Sequence, residues 1–442
     1  MKSGWVALAC LLASTAAGQL GGGYQGPGVL SRGAGDIGTR SGQQVGLRLY
    51  AGVSGIYDNE LQPVSVDPQG KLVQVGDLYG VEANVGAYGV HNWKTASLGL
   101  DYRGVFRHYN TRSYFDGSDH SLALGYTYRK SRRLAFDLRQ VAGSFSQGVG
   151  GVYGFLPIVA SDIINQPTLL LFDNRTYYLQ STMDVSYIAS PRTIFTAGGD
   201  GFLVRRRASS LAGLNGYNLR GSIQHRISRT NTIGTVYEHI HFDYRKAFGE
   251  ANIDLAQGFF ATQFSRYWTF AAYGGIYVAQ IEGLQQVNVD PAVAALLGQT
   301  TTIQAFYRKT IYPSGELKLT RQFKAALLTF DYSRTPVPGN GVYLTSQQES
   351  GSATFSYTGV RKFNFFVSGQ YNALKSLGQN ITPYRQVSGG AGLTYGLNRY
   401  LHLTARYDAR HQEIDLAGYR RNGFRATVGL IFSPGDVPLS LW

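Results

Sequence analysis

Three places in the sequence carry residues able to do chemistry. Asp119, His120 and Ser121 stand side by side, His239 and His241 are two apart, and GGGYQGPG (21–28) is rich enough in glycine to suggest a phosphate cradle. Each fails on the geometry that its chemistry needs. A nucleophile and its base must come within hydrogen-bonding reach. Neighbours in an extended strand point to opposite faces, so Asp119-His120-Ser121 makes no triad. His239 and His241 do share a face, but two imidazoles without a carboxylate of known geometry read as a structural pair before a metal site. The glycine run lacks the strand–loop–helix context of a phosphate loop and reads as a linker. No residue is assigned a catalytic role, no metal or other cofactor is expected, and the chain is expected not to be an enzyme.

The other ionisable residues follow a different logic. In SRRLAFDLRQ (131–140), Leu134, Phe136 and Leu138 alternate with Arg133, Ala135, Asp137 and Arg139. Strict alternation predicts a strand with one apolar and one charged face. The same pattern sets Leu98, Leu100, Tyr102 and Phe106 against Asp101, Arg103 and Arg107. It recurs in Leu122, Leu124, Tyr126 and Tyr128, with Arg129 on the other face, and in Phe424, Ala426, Val428, Leu430 and Phe432, with Arg425 opposed. Arg220, Arg226, Glu316, Lys318, Arg406, Asp408 and Arg410 occupy equivalent charged faces. A charge turned to lipid at mid-bilayer costs roughly 2–4 kcal/mol, so in a membrane barrel all of these must point inward and line a pore. Two strands disobey. TVYEHIHFDY (235–244) puts ionisable groups on the face that should be apolar in either register, which predicts a bulge, and 192–206 gives no clear face.

The elements that hold these residues are strands throughout. Lys2, the apolar run WVALACLLA and the small residues STAAG predict a secretory signal peptide over 1–18. Cys10 lies inside it, which leaves a mature chain without disulfides or thiolate sites. Residues 19–43 form a Gly-rich leader expected to be flexible and periplasmic. No later apolar run reaches the roughly 18 residues of a membrane-spanning helix. The 442 residues include 56 Gly, 31 Tyr and 23 Phe with 15% charged, a β-rich composition. The net charge of +14 is dispersed along the strands instead of clustered, which argues against nucleic acid as a partner.

From 44 to 442 one unit repeats, a strand of about a dozen residues followed by a connection. Short connections, such as KSRR (130–133), SPR (190–192), SRTN (228–231), SRYW (265–268) and NRY (398–400), alternate with long ones near 58–76, 109–117, 147–174, 207–214, 247–251, 282–301, 336–348, 376–383 and 412–419. Short turns on one rim and long loops on the other are the habit of transmembrane barrels. The fold class is therefore all-β, a transmembrane antiparallel β-barrel of 16–18 strands; eighteen is the direct count, and Pro313 leaves sixteen open. Trp93, Tyr128, Tyr187, Trp268, Phe363, Tyr395 and Tyr400 gather beside the short turns, as a periplasmic aromatic girdle would. Loops 147–174 and 282–301 are too apolar to stand in water, and Asp290, Pro291 and Gly298 predict a short helix in the second. Entry into the barrel mouth and packing against other loops or another protomer both remain open for them.

The recurring turn of Ser, a variable residue and Arg or an aromatic, leading into alternating strands over 44–433, resembles the outer-membrane β-barrel porins encoded with exopolysaccharide synthesis and export machinery. The resemblance implies a Gram-negative outer membrane, delivery by the barrel assembly machinery, polysaccharide as a cargo and periplasmic export proteins as partners. The residues themselves point to a pore for hydrophilic or anionic solutes with a mildly basic lumen containing Tyr and Arg. An adhesion barrel acting through its extracellular loops is the alternative, separable by conductance, and an outer-membrane hydrolase stands last.

Overall fold

A computed structural model describes residues 47–59, 65–66, 72–73, 77–110, 116–145, 175–207, 211–288, 301–339, 341, 343–360, 362–378, 383–414, 419–434 and 436–437. The signal peptide, the leader, loop 147–174 and the helix expected within 289–299 all lie outside them.

Eighteen long strands follow one another in antiparallel order. They are β1 (Leu47–Asn59), β2 (Leu78–Asn92), β3 (Ala96–Tyr109), β4 (Gly117–Arg129), β5 (Leu134–Phe145) and β6 (Thr176–Ile188). Then come β7 (Thr193–Arg206), β8 (Gly213–Arg226), β9 (Asn231–Arg245), β10 (Gly249–Thr262), β11 (Trp268–Asn288) and β12 (Thr301–Gln322). The last are β13 (Ala326–Val337), β14 (Ser346–Val360), β15 (Phe363–Ser376), β16 (Tyr384–Gly396), β17 (Leu401–Ile414) and β18 (Tyr419–Phe432). β1 pairs with β2 on one side and with β18 on the other, from Ala51↔Phe432 to Asn59↔Phe424, so the sheet closes into a barrel. Closure leaves no sheet edge around the wall. A two-residue ribbon (Ser65–Val66 with Leu72–Val73) lies in the first loop, and Asp436–Val437 adds a stub to β1.

The short turns have a common chemistry. Ser131 Oγ accepts hydrogen bonds from the amides of Arg133 and Leu134, both at 3.1 Å. Ser190 does the same for Arg192 and Thr193, Ser228 for Thr230 and Asn231, and Asn398 Oδ1 for Tyr400 and Leu401. A side-chain oxygen replaces the backbone acceptor that a tight reversal lacks, which is why Ser or Asn opens these turns.

Alternation sorts the two faces as expected. Asp101, Arg103 and Arg107 are buried while Leu98 and Phe106 are exposed, and in β18 Arg425 is buried while Val428, Leu430 and Phe432 are exposed. Two expectations need correction. The β9 segment 235–244 has no bulge: its ladders to β8 and β10 run in unbroken register. Its inner face is the apolar one, with Val236, Ile240 and Phe242 buried, and His239 and His241 point outward. The register shift in the wall falls instead between Tyr357 and Val360 of β14, beside Lys362 at φ 68°. The ambiguous β7 resolves with Thr196, Asp200, Phe202 and Val204 inside.

The expected loop at 282–301 begins and ends as strand. β11 and β12 pair from Trp268↔Arg321 to Asn288↔Thr301, well past their neighbours. β13 holds β12 only from Gly315 to Gln322, so Pro313 lies beyond the end of that ladder. Proline has no amide to donate and tolerates such an edge without breaking the strand, which is why the count stays at eighteen.

Candidate functional site

The site is the interior. The charges of the inner face are paired more thoroughly than sequence spacing alone conveys. Arg103 donates from Nε to Asp101 Oδ1 (3.0 Å) and from Nη2 to Oδ2 (2.9 Å). Arg107 reaches both neighbouring strands, to Glu82 of β2 at 2.8 Å and to Asp119 of β4 at 2.7 Å. Arg425 closes the β1–β18 seam by donating to Asp58 (3.1 and 3.2 Å) and to Tyr109 Oη (2.6 Å). Arg406 pairs with Asp408 on its own strand at 2.7 Å. Across the barrel, Arg220 of β8 forks onto Asp184 of β6 (2.6 and 2.8 Å) and reaches Asp200 of β7 at 3.4 Å.

The remaining candidates are placed less centrally. Lys318 and Asp331 are 3.9 Å apart. Asp137 accepts from Thr127 Oγ1 at 2.6 Å, with Arg139 two residues along the same face. Glu316 sits opposite Tyr273 in the ladder, and Arg410 is buried on the inner face of β17. Arg129 and Arg226 lie at the turn rim, where Arg226 Nη2 donates to Pro191 O at 3.1 Å. At the same rim, Trp93, Tyr128, Tyr187, Tyr395 and Tyr400 are exposed, and Trp268 and Phe363 are half-buried.

Several inner residues were not among the candidates. Asp58, Glu82, Asp119, Asp200 and Glu238 share the inner face, and their carboxylates offset much of the basic excess. Strand parity could have found Glu82 and Asp119; their role as partners of Arg107 depends on cross-strand register. Arg421 of β18 was also missed. Its side chain is buried, with residue exposure of 4%, and Nε, Nη1 and Nη2 have no hydrogen-bond acceptor among the described residues. Its ladder partner is Gln412, whose Nε2 has no acceptor either.

The mouth at the loop rim is narrowed by a segment that sequence reading had treated as an ordinary loop. The β13–β14 connection turns inward. Tyr244 at the end of β9 donates to Pro338 O (3.0 Å) and shares a hydrogen bond with Thr345 Oγ1 (2.9 Å). The amide of Ala212, before β8, donates to Gly341 O at 3.1 Å. Since β8 and β9 are several strands away from β13 and β14 around the ring, these contacts cross the lumen as a chord. Gly339 (φ 75°) and Gly341 (φ 95°) supply left-handed backbone, and a Cβ on Gly339 would strike the carbonyls of Tyr343 and Leu344.

The β15–β16 loop follows the same path, with the Leu377 amide on Thr345 O (2.9 Å) and Arg308 Nη1 on Leu377 O (3.1 Å). Leu344 and Leu377 complete an apolar cluster with inward-facing Tyr178, Phe202, Phe242, Ile253, Tyr277 and Ile281. Tyr343 packs with Val337, Leu374 and Tyr384, and burial pushes its phenol pKa up. One side of the mouth is thus dry and apolar, and the wall from β17 through β3 is charged.

No known family profile matches the chain, and no curated protein matches it. Among solved structures, Pseudomonas aeruginosa OccK2 (OpdF) is 12% identical, with 89% of this chain and 100% of that one covered at a TM-score of 0.43. OpdK from the same species, solved with vanillate, is 12% identical over 88% and 98% of the two chains at 0.41. Acinetobacter baumannii OccAB4 is 9% identical over 88% and 98% at 0.38. Likenesses at this level assign neither a family nor a solute.

Proposed function

We propose that this barrel lies in the outer membrane of a Gram-negative bacterium and works as a non-enzymatic pore for small hydrophilic solutes, with a modest preference for anions. The observation that carries the reading is the partition of side chains around a closed wall. Leu98, Phe106, Leu122, Leu124, Leu138, Val428 and Leu430 point out, and Asp101, Arg103, Arg107, Asp119, Arg421 and Arg425 of the same strands point in, the outward His108 and Arg420 lying at the loop rim. In hydrocarbon only helices and closed barrels satisfy every backbone group, and an outward apolar band with an inward polar face is the arrangement lipid selects.

Both ends of the barrel sequence, the start of β1 and the end of β18, fall on the short-turn rim. That is the periplasmic side for a chain delivered from the periplasm, and the aromatic residues there serve as the girdle at the headgroup level. Phe432 ends the last strand, where assembly machinery would recognise it. Among the described residues Arg421 has no hydrogen-bond acceptor and Arg206 is held by the carbonyl of Ala212, whereas Arg103, Arg107, Arg406 and Arg425 are paired with carboxylates, so Arg421 and Arg206 carry the anion preference. The infolded tip 338–345 favours small solutes over a polymer. Polysaccharide as cargo and periplasmic export partners rest on the sequence resemblance alone. Planar bilayers containing the purified barrel should show stepwise conductance, with a reversal potential across a KCl gradient of the sign for chloride over potassium. A folded barrel that never conducts would refute the pore, and potassium preference would refute the charge assignment.

A further inference from the structure

On the outer wall, away from the lumen, β6 to β10 carry a feature that solute passage does not use. Their ladders set outward residues in rows. Ser181, Gly201, Tyr217, His241 and Asn252 form one row across five strands. Towards the loop rim, the next contains Leu179, Leu203, Asn215, Asp243 and Glu250. Gly213 lies opposite Arg245 one row higher, beside Arg205. A Cβ on Gly201 would meet nothing within 4 Å. The missing side chain opens a hollow of about 540 Å³ bounded by Leu179, Leu203, Gly201, Tyr217, His241 and Asp243.

The chemistry of this hollow is graded with height. Strands rising about 3.3 Å per residue and tilted about 40° climb roughly 2.5 Å per residue, and the apolar band of such barrels is about 25 Å tall. Gly201, eight residues above Thr193, therefore stands within the upper acyl region, and Arg205 and Arg245 stand above the band. One row nearer the turns stand exposed Met183, Gly199 and exposed Leu219; the Gly201 row adds Tyr217 and His241, the next sets Leu179 and Leu203 beside Asn215 and Asp243, and Arg205 and Arg245 stand highest. Tyr217 and His241 stack with centroids 5.2 Å apart, and His241 Nδ1 is held by Asn252 Oδ1 at 2.8 Å. One row nearer the turns, His239 Nδ1 meets Asp254 Oδ1 at 2.9 Å, and Tyr237 donates to the same oxygen at 2.8 Å.

At the top, Gly213 is buried and leaves just room for two guanidinium-bearing chains to close over it, since a Cβ there would lie 3.2 Å from Val204 O, 3.5 Å from Arg245 Cβ and 3.9 Å from Arg205 Nη1. Arg205 is pinned, donating to Val204 O, Leu214 O and Asn215 Oδ1 at 2.8–3.1 Å. Arg245 is exposed and has no ion pair among the described residues. Two like charges brought together on neighbouring strands at the outer surface favour a dianion beside them.

We propose that this groove binds one phosphorylated glycolipid of the outer leaflet. An acyl chain rises between Met183 and Leu219 to lie over Gly201, the sugar stands against Tyr217 and His241, and the phosphate sits beside Arg205 and Arg245. Asp243, one row below the arginines, faces sugar hydroxyls and accepts from them, as it accepts from Asn215 Nδ2 at 3.4 Å. The inference rests on the outer-membrane reading above but not on conduction.

The test is native mass spectrometry of the purified barrel with a hexa-acylated, bis-phosphorylated lipid A, and its dephosphorylated form and phosphatidylethanolamine as comparisons. One lipid A should bind, and Arg205→Gln with Arg245→Gln should weaken it by on the order of tenfold, since each removes a charge-assisted contact. Gly201→Leu, which has room for its side chain, should weaken it by filling the hollow while unheated gel mobility stays that of a folded barrel. Unaltered binding by these variants, or equal binding of phosphatidylethanolamine, would overturn the site. A parent dimer that the variants convert to monomers would instead identify an interface between copies and overturn it too. Conductance recorded on the same variants should match the parent, so loss of the pore and loss of the lipid site are read separately.

Discussion

The seam between the first and last strands provides the sharpest test of the interior. Arg425 and Asp58 are 3% and 0% exposed, and nine registered pairs along the β1–β18 ladder surround their contact. Asp58→Ala removes the one carboxylate hydrogen-bonded to the Arg425 guanidinium among the described residues and leaves Tyr109 Oη, which accepts a hydrogen bond but brings no charge. Breaking a buried pair from one side costs about 3–5 kcal/mol, and the surviving tyrosine contact places this case near the lower end, at about 3 kcal/mol. Arg425→Met alone takes the guanidinium away from the buried Asp58 carboxylate. The double variant Asp58→Leu, Arg425→Met replaces two desolvated ions by apolar groups and should recover to within about 1 kcal/mol of the parent. Urea titrations in lipid vesicles, read by unheated gel mobility, measure all four corners of the cycle. A single variant within about 1 kcal/mol of the parent, or a double variant as costly as both singles combined, would show that this pair is hydrated and that the lumen wall is wet at the seam.

Three other outcomes follow from the same geometry. Arg in place of Val428 or Leu100, both outward, should lower stability in vesicles by about 2–4 kcal/mol or block insertion; normal insertion would mean the faces are reversed. Deleting 339–344, the tip held by Tyr244, Ala212 and Leu377, should raise single-channel conductance with the barrel still folded; unchanged conductance would place the tip outside the ion path. Arg421→Gln should bring the chloride-to-potassium permeability ratio closer to unity at low salt, and the parent's preference should itself fade near 1 M, where screening acts over roughly 3 Å. A ratio indifferent to Arg421 would assign the selectivity to other residues.

The strand plan was legible because it is written locally. Each strand repeats a period of two, and several of the short turns announce themselves by a Ser or Asn whose oxygen caps the reversal. The strands therefore emerge within a few residues of their observed bounds, except that β11 runs on to Asn288 through what reads as the start of a loop. The partners were not legible because they are set by register between strands. Arg107 is bound by Glu82 and Asp119, 25 residues before it and 12 after it, and Arg425 by Asp58, 367 residues away. The expectation of a mildly basic lumen counted inward arginines more fully than the acids opposite them. The sequence pattern also suggests that Ser in place of Asp101 should be tolerated as one solvated charge fewer; the buried Arg103 contact makes that substitution costly.

The mouth and β9 fail to read for a related reason, and together they show where a two-faced rule stops. The rule supposes that the inner face is always wet and the outer face always in acyl chains. At the loop rim neither holds. Inside, the tip 338–345 and Leu377 fold over Tyr244, Phe242 and Tyr277, so an apolar inner face becomes the favourable one. Outside, the wall rises past the acyl region, so Asp243 and Arg245 face out at little cost, and the imidazoles of His241 and His239 below them are held by Asn252 and Asp254. β9 carries both exceptions at once, which is why neither register satisfied the pattern and a bulge was inferred where the ladder is regular. The reversed polarity of β9 thus marks two places at the same height, the infolded plug on the lumen side and the arginine-capped groove on the lipid side. Substitutions at Phe242 should affect conduction alone, whereas those at His241 should affect lipid A binding alone; a shared effect at both positions would mean that the wall between the two sites is not rigid.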